Sequence, residues 1–216
     1  MKKVILIFLF LIIAIITVSG YFIFKEKNPI PTKKKGGENN IMKNKRLGKI
    51  LMIIAPKDFR DEEYLIPHQV FNQGGFEVEV ASKEVTDAIG MFNTKVKIDK
   101  DISQVNLDDY QGIVFVGGKG ASIYFNDPIA LNLAKKSFAK GKVIGAICIA
   151  PSILANAGIL KNKKATAYPT EQSNLNQQGA LYTNEAVTID DKIITGQGPK
   201  AAQEFAEKIL SALQID

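Results

Sequence analysis

The run Ile50-Leu51-Met52-Ile53-Ile54-Ala55 contains no polar residue at either parity. A strand with one wet face alternates, so an unbroken run needs apolar surroundings on both sides. That is the place of a central strand in a parallel sheet covered by helices. The chain beyond it repeats the theme. Asp61 to Gln73 carries Tyr64, Leu65, Val70 and Phe71 at helical spacing, and Gly74-Gly75 ends it. Phe76 to Val80 alternates as a strand, and Val85 to Ile98 reads as a β-excursion around Gly90 and Asn93. Gly112 to Val116 is a strand, and Asp127 to Ala139 is a helix with Pro128 in its first turn. Lys142 to Ile147 is a strand and Pro151 to Ala157 a helix closed by Gly158. Ala186 to Ile189 and Lys192 to Thr195 pair around Asp190-Asp191. A last helix from about Pro199 to Leu213 puts Phe205, Ile209 and Leu213 on one face. Strands alternating with helices predict an α/β domain with a mostly parallel sheet covered on both sides.

The domain is preceded by a different kind of sequence. Val4 to Phe24 is an apolar run of 21 residues behind Lys2 and Lys3, long enough as a helix of about 30 Å to cross a bilayer. It reads as a membrane anchor; the competing reading is a signal peptide cut after Val18-Ser19-Gly20. No Cys follows the run, which excludes a lipoprotein anchor. The short basic N-terminus predicts an extracytoplasmic domain, although Lys25, Lys27 and Lys33 to Lys35 oppose that by the positive-inside rule. Residues 25–47 read as a basic flexible linker, and 48–216 as the domain.

Charge follows this division. Residues 1–49 carry +9 and the remaining residues −3, so the overall +6 belongs to the N-terminal segment. A nucleic-acid footprint requires basic residues on the domain itself, and none cluster there. One Cys excludes an internal disulfide, and one Cys with one His excludes a structural zinc site. No cofactor motif is present: Gly117-Gly118-Lys119-Gly120-Ala121-Ser122 lacks the Ser/Thr after Lys that a phosphate loop needs.

Function in such sheets gathers at the carboxyl ends of the strands, and three features fall there. The strand Lys142 to Ile147 runs into Cys148, with a helix beginning within three residues, as in a nucleophile elbow. The helix amides and dipole predict that thiolate is favoured over thiol; a buried Cys acting as a small hydrophobe is the competing reading. Gly117-Gly118 ends the preceding strand and can aim N–H groups into an oxyanion pocket, or simply make a turn. Asp61-Glu62-Glu63 follows the first strand. A buried carboxyl there could keep its proton and give it to the sulfur, whereas Asp61 and Glu62 are explained as acidic decoration of a helix N-terminus.

Together these features resemble the ThiJ/PfpI (DJ-1/PfpI) superfamily of flavodoxin-like cysteine proteins, related in fold to the class I glutamine amidotransferases. The matching pieces are Asp61-x-Glu63-x-x-x-Pro67, Gly74-Gly75-Phe76-Glu77-Val78, Val116-Gly117-Gly118, Gly145-Ala146-Ile147-Cys148-x-x-Pro151 and Thr195-Gly196-Gln197-Gly198-Pro199. The resemblance covers 49–213. It implies a three-layer α/β/α sandwich in which Cys148 is the reactive thiol and Glu63 the protonated carboxyl beside it. The amides of Gly118 and Ile149 would line an anion pocket with Gly117, without cofactor or metal, in a homodimer. Members include glyoxalases, deglycases, proteases or amidases, stress chaperones and peroxide sensors. The partner implied is a small-molecule carbonyl or an oxidant. Ile149 stands where protease-like members carry His, and Tyr168 where several members place a His, which makes Tyr168 a substrate-pocket residue and peptide hydrolysis the weaker reading. His68 matches no catalytic position.

Overall fold

The structure, a computed structural model, describes residues 46–214. The chain enters with strand β1 (Lys49–Ile53), makes a short strand β2 (Lys57–Phe59), and crosses by helix α1 (Asp61–Gln73) to β3 (Glu77–Ser82). A hairpin of β4 (Asp87–Gly90) and β5 (Lys95–Lys97) pairs with β2 in a small sheet, and β6 (Lys100–Asp101) joins the main sheet beside β3. Strand β7 (Gly112–Phe115), helix α2 (Pro128–Ala139) and β8 (Val143–Ile147) make a second crossover. Helix α3 (Pro151–Asn156) follows, then β9 (Lys164–Ala165), α4 (Gln172–Gln177) and β10 (Leu181–Tyr182). The antiparallel pair β11 (Val187–Asp190) and β12 (Ile193–Gly196) leads into α5 (Ala202–Gln214).

The main sheet has the order β11-β12-β8-β7-β1-β3-β6, parallel except at β11–β12. The fold is the expected flavodoxin-like α/β/α sandwich. Its core strand is the one the apolar run predicts: Ile50, Leu51 and Met52 are wholly buried. From β1 the chain steps one way to β3, and from β7 it steps the other way to β8. Right-handed crossovers therefore place α1 and α2 on opposite faces. Helix α5 packs on α1 and across β8 and β12. The approach is close: a Cβ on Gly145 would lie 2.5 Å from Ile209 Cδ1, so glycine is what lets α5 settle on β8. Asp127 caps α2 by accepting from the amides of Ile129 and Ala130 at 2.9 and 3.0 Å. Because the crossovers diverge between β1 and β7, the carboxyl ends of β1, β7 and β8 border a crevice at the switch point.

The stretch 159–183, assigned no element from the sequence, contains β9, α4 and β10. Elements this short carry too few residues for a period to show.

The expectation of a membrane-anchored chain with an extracytoplasmic domain is corrected. Among the described residues no helix is long and apolar enough to cross a membrane. The longest, α1 and α5, have 13 residues, about 20 Å against the ~30 Å of a bilayer core. Residues 4–24, on which the transmembrane and signal-anchor reading rested, lie outside the described residues.

Candidate active site

Strand β8 is buried along its whole length and delivers Cys148 at the carboxyl edge of the sheet. There the backbone turns sharply, with φ of +64° at Cys148. A side chain in this left-handed region costs on the order of 1–3 kcal/mol and persists only where its surroundings hold it. They do: the Cys148 amide donates to the Gly196 carbonyl at 2.9 Å, and its carbonyl accepts from the Tyr168 amide at 2.8 Å. Cys148 is thereby fastened to the end of β12 and to the segment entering α4. The residue is buried at the edge of the core, with 8% of its surface exposed.

Of the three acidic residues that open α1, the first and third point inward and Glu62 lies outward. Glu63 is fully buried, and neither of its carboxyl oxygens is satisfied by a hydrogen-bond partner. Burial pushes the carboxyl up to about 8, against the pull of the Cys148 side chain, the Arg60 guanidinium and the Gly117 amide. Glu63 therefore holds its proton at neutral pH and can donate it. Pro67, one turn on, has no N–H, so the Glu63 carbonyl lacks its usual intrahelical donor.

Gly117 is where the two groups meet. A Cβ there would lie 2.5 Å from Cys148 Cβ and 2.5 Å from Glu63 Oε2. Gly118 follows with φ of +88°, and a Cβ on it would fall 2.3 Å from the Arg60 nitrogen. The two glycines thus let the β7 loop pass between the elbow and the residues before α1. The Arg60 amide closes this contact by donating to the Gly117 carbonyl at 3.0 Å.

The thiol differs from the sequence expectation. Burial and then the charge of Glu63 push Cys148 up to about 12, while the amides of Gly118 and Ile149 pull it down. Helix α3, expected to favour thiolate, has only six residues, and its field is outweighed by desolvation. While Glu63 keeps its proton its charge is absent, and the thiol lies lower than when Glu63 is ionised.

Tyr168 is 45% exposed and stands beside the elbow, its ring 3.6 Å from the point where Gly198 would carry a Cβ. It lines a cleft of about 700 Å³ with Arg60, Glu62, Gln197 and Lys200; neither Cys148 nor Glu63 lines that cleft. His68 is not in the site: its ring packs tilted against Tyr64 and lies beside Asn72 on α1. No group of His, Cys, Asp and Glu among the described residues is arranged to hold a metal ion.

Two residues were passed over in the sequence. Asp61 is buried and accepts from the amides of Phe92 and Thr94 at 2.9 and 3.0 Å, clamping the β4–β5 turn to the start of α1. Arg60 pairs with Glu62 at 2.9 and 3.1 Å and lies 4.7 Å from the centre of the Phe92 ring.

A parallel sheet with a cysteine at a strained elbow, facing a buried acid, defines a flavodoxin-like cysteine protein. The chain belongs to the DJ-1/PfpI family, whose model matches residues 48–212. An uncharacterised protein of Methanocaldococcus jannaschii is 42% identical over 82% of this chain and 87% of its own length. A deglycase of Pyrococcus horikoshii is 29% identical over 77% of this chain and 99% of its own. Among solved structures, a ThiJ/PfpI domain protein from Brachyspira murdochii superposes with a TM-score of 0.76 at 28% identity, over 78% of this chain and 97% of that one.

Proposed function

We propose that this chain is a cofactor-free cysteine enzyme acting on small reactive carbonyls or their adducts, with residues 48–216 as the working unit. The observation that carries this reading is the fully buried Glu63 carboxyl, held against Cys148 across Gly117. The family supports it, since relatives include a deglycase of Pyrococcus horikoshii and a glutathione-independent glyoxalase of Caenorhabditis elegans.

Cys148 sulfur adds to the carbonyl carbon, and the C=O π pair moves onto oxygen, where the Gly118 and Ile149 amides receive the charge. Glu63 gives its proton to that oxygen and regains one from the thiol. This step gives a hemithioacetal adduct on Cys148, with no atom lost and no change of oxidation state, and turnover requires its S–C bond to break again. Ile149 in place of His leaves no imidazole beside the sulfur, which disfavours peptide hydrolysis. The working form in this reading is a homodimer.

The experiment is turnover of methylglyoxal by the full chain without added cofactor, compared with Cys148→Ala and Glu63→Gln. Abolition in the first and a drop of at least about 100-fold in the second are expected for a nucleophile and its proton carrier. Undiminished turnover in Cys148→Ala overturns the reading. Gain of two oxygens at Cys148 in dilute peroxide, with no carbonyl turnover, assigns the cysteine to oxidant sensing instead.

A further inference from the structure

We propose that the cleft beside the elbow selects a carbonyl compound with an apolar body and a terminal carboxylate, in preference to a free three-carbon dicarbonyl. This rests on the carbonyl reading of Cys148 and says which carbonyls the site favours.

The first argument is size. The cleft measures about 700 Å³. A three-carbon dicarbonyl occupies only a few water volumes, each about 30 Å³, and leaves most of that space wet. Clefts of this size match ligands with several more heavy atoms. The lining belongs to segments that also hold the reacting groups. Arg60 precedes α1 and Ile66 lies one turn beyond Glu63 on it, the Tyr168 amide donates to the Cys148 carbonyl, and Gln197 to Lys200 continue from Gly196, whose carbonyl accepts from the Cys148 amide. The cleft is thus tied through the backbone to the segments that carry both reacting groups, and in this proposal it takes the part of the molecule that does not react.

The second argument is the chemistry of the walls. Ile66, the Tyr168 ring, Pro169, Pro199 and Ala201 present an apolar surface. Such a surface favours methylenes that leave water for it. The polar groups are mostly occupied already. Arg60 is held by Glu62 and by the Phe92 ring, and Gln197 donates to Asn184 Oδ1 at 2.9 Å. Lys200 is the exception: among the described residues it joins no ion pair, and it is exposed at the rim. With Arg60 and Glu62 cancelling, the cleft keeps one positive charge at its edge. Apolar walls ending in a free ammonium fit an alkyl chain ending in a carboxylate.

The chemical step is unchanged. The S–C bond forms, the C=O π bond breaks, and the thiol proton ends on oxygen by way of Glu63. The cleft contributes binding of the part that does not react, which raises kcat/KM through positioning.

The test uses the full chain and measures protection of Cys148 from iodoacetamide. The probes are aldehydes of rising chain length with a terminal carboxylate, the matching uncharged aldehydes, and methylglyoxal. A long carboxylate aldehyde is expected to protect at concentrations at least about tenfold below methylglyoxal, an advantage of about 1.4 kcal/mol. Lys200→Glu removes its advantage over the uncharged aldehyde, and Tyr168→Ala reduces the gain with length. Equal protection by methylglyoxal and the long probes overturns the proposal, as does an advantage untouched by Lys200→Glu. Calorimetry of an unreactive alkyl carboxylate with Cys148→Ala separates the two levels. If no aldehyde protects Cys148 but the carboxylate binds with dependence on Lys200, the carbonyl reading fails and the substrate assignment with it, while the cleft remains a site for apolar anions. If every aldehyde protects equally and the carboxylate does not bind, only the cleft assignment is lost.

Discussion

Glu63 and Cys148 meet at the face of Gly117: one added carbon there would lie 2.5 Å from Cys148 Cβ and 2.5 Å from Glu63 Oε2. The carboxyl and the cysteine are thus neighbours because the residue between them has no side chain. Gly117→Ala should drive a methyl between the pair. Overpacking of this kind costs roughly 1–3 kcal/mol, and the Cys148 alkylation rate should change at least about tenfold with the lost alignment. Wild-type stability and alkylation in this variant would mean that the two side chains act independently.

The Glu63 carboxyl also predicts how stability varies with pH. Its folded value is raised from 4.5 to about 8, so the native state holds this proton more tightly than the unfolded chain. The stability it contributes is fully present below pH 4.5 and is lost as pH rises through 8. The slope is at most about 1.4 kcal/mol per pH unit between those values. Glu63→Gln, which cannot ionise, should flatten urea midpoints measured at pH 5, 6.5 and 8. A wild type with no slope over this window would contradict the burial argument.

Cys148 should titrate in the direction its surroundings dictate. With burial and the Glu63 charge raising it to about 12, alkylation of the wild type should keep accelerating above pH 9. Glu63→Gln removes the charge and should move the midpoint of the rate profile down. An upward move would show that the carboxyl helps form the thiolate by accepting the thiol proton instead of opposing it by charge.

Strain at the elbow can be measured by substitution. Cys148 holds φ of +64°, which glycine adopts without cost. Cys148→Gly should therefore be about as stable as Cys148→Ala or more so, by up to ~1 kcal/mol, although it removes an additional carbon from the site. A thermal midpoint several degrees below that of Cys148→Ala would show that packing of the Cβ outweighs the strain.

Asp61 is predicted to be a structural clamp. Asp61→Ala would strand the amides of Phe92 and Thr94, each costing about 1–3 kcal/mol. Amide exchange at 91–94 should accelerate before any change at β1 or β8. Unchanged protection there would mean the β4–β5 turn is held by other contacts.

Much of the architecture was legible in the chain. The unbroken apolar run of β1 and the helical spacing of α1, α2 and α5 are local signals, so they led directly to a parallel sheet covered on both faces. The strand running into Cys148, followed by Pro151, likewise announced the elbow. The short elements between 159 and 183 were silent because two-residue strands have no period.

What only the tertiary structure decided concerns the acids and the thiol. The resemblance singles out Glu63, but spacing alone does not separate it from Glu62. Which of them faces the sulfur depends on how α1 is rotated against the β7 loop, and that is set by packing of residues far apart in the chain. The direction of the Cys148 shift was misjudged for the same reason. A helix start and its dipole can be read from sequence, but the desolvation that outweighs them is a sum over every group the fold brings around the sulfur.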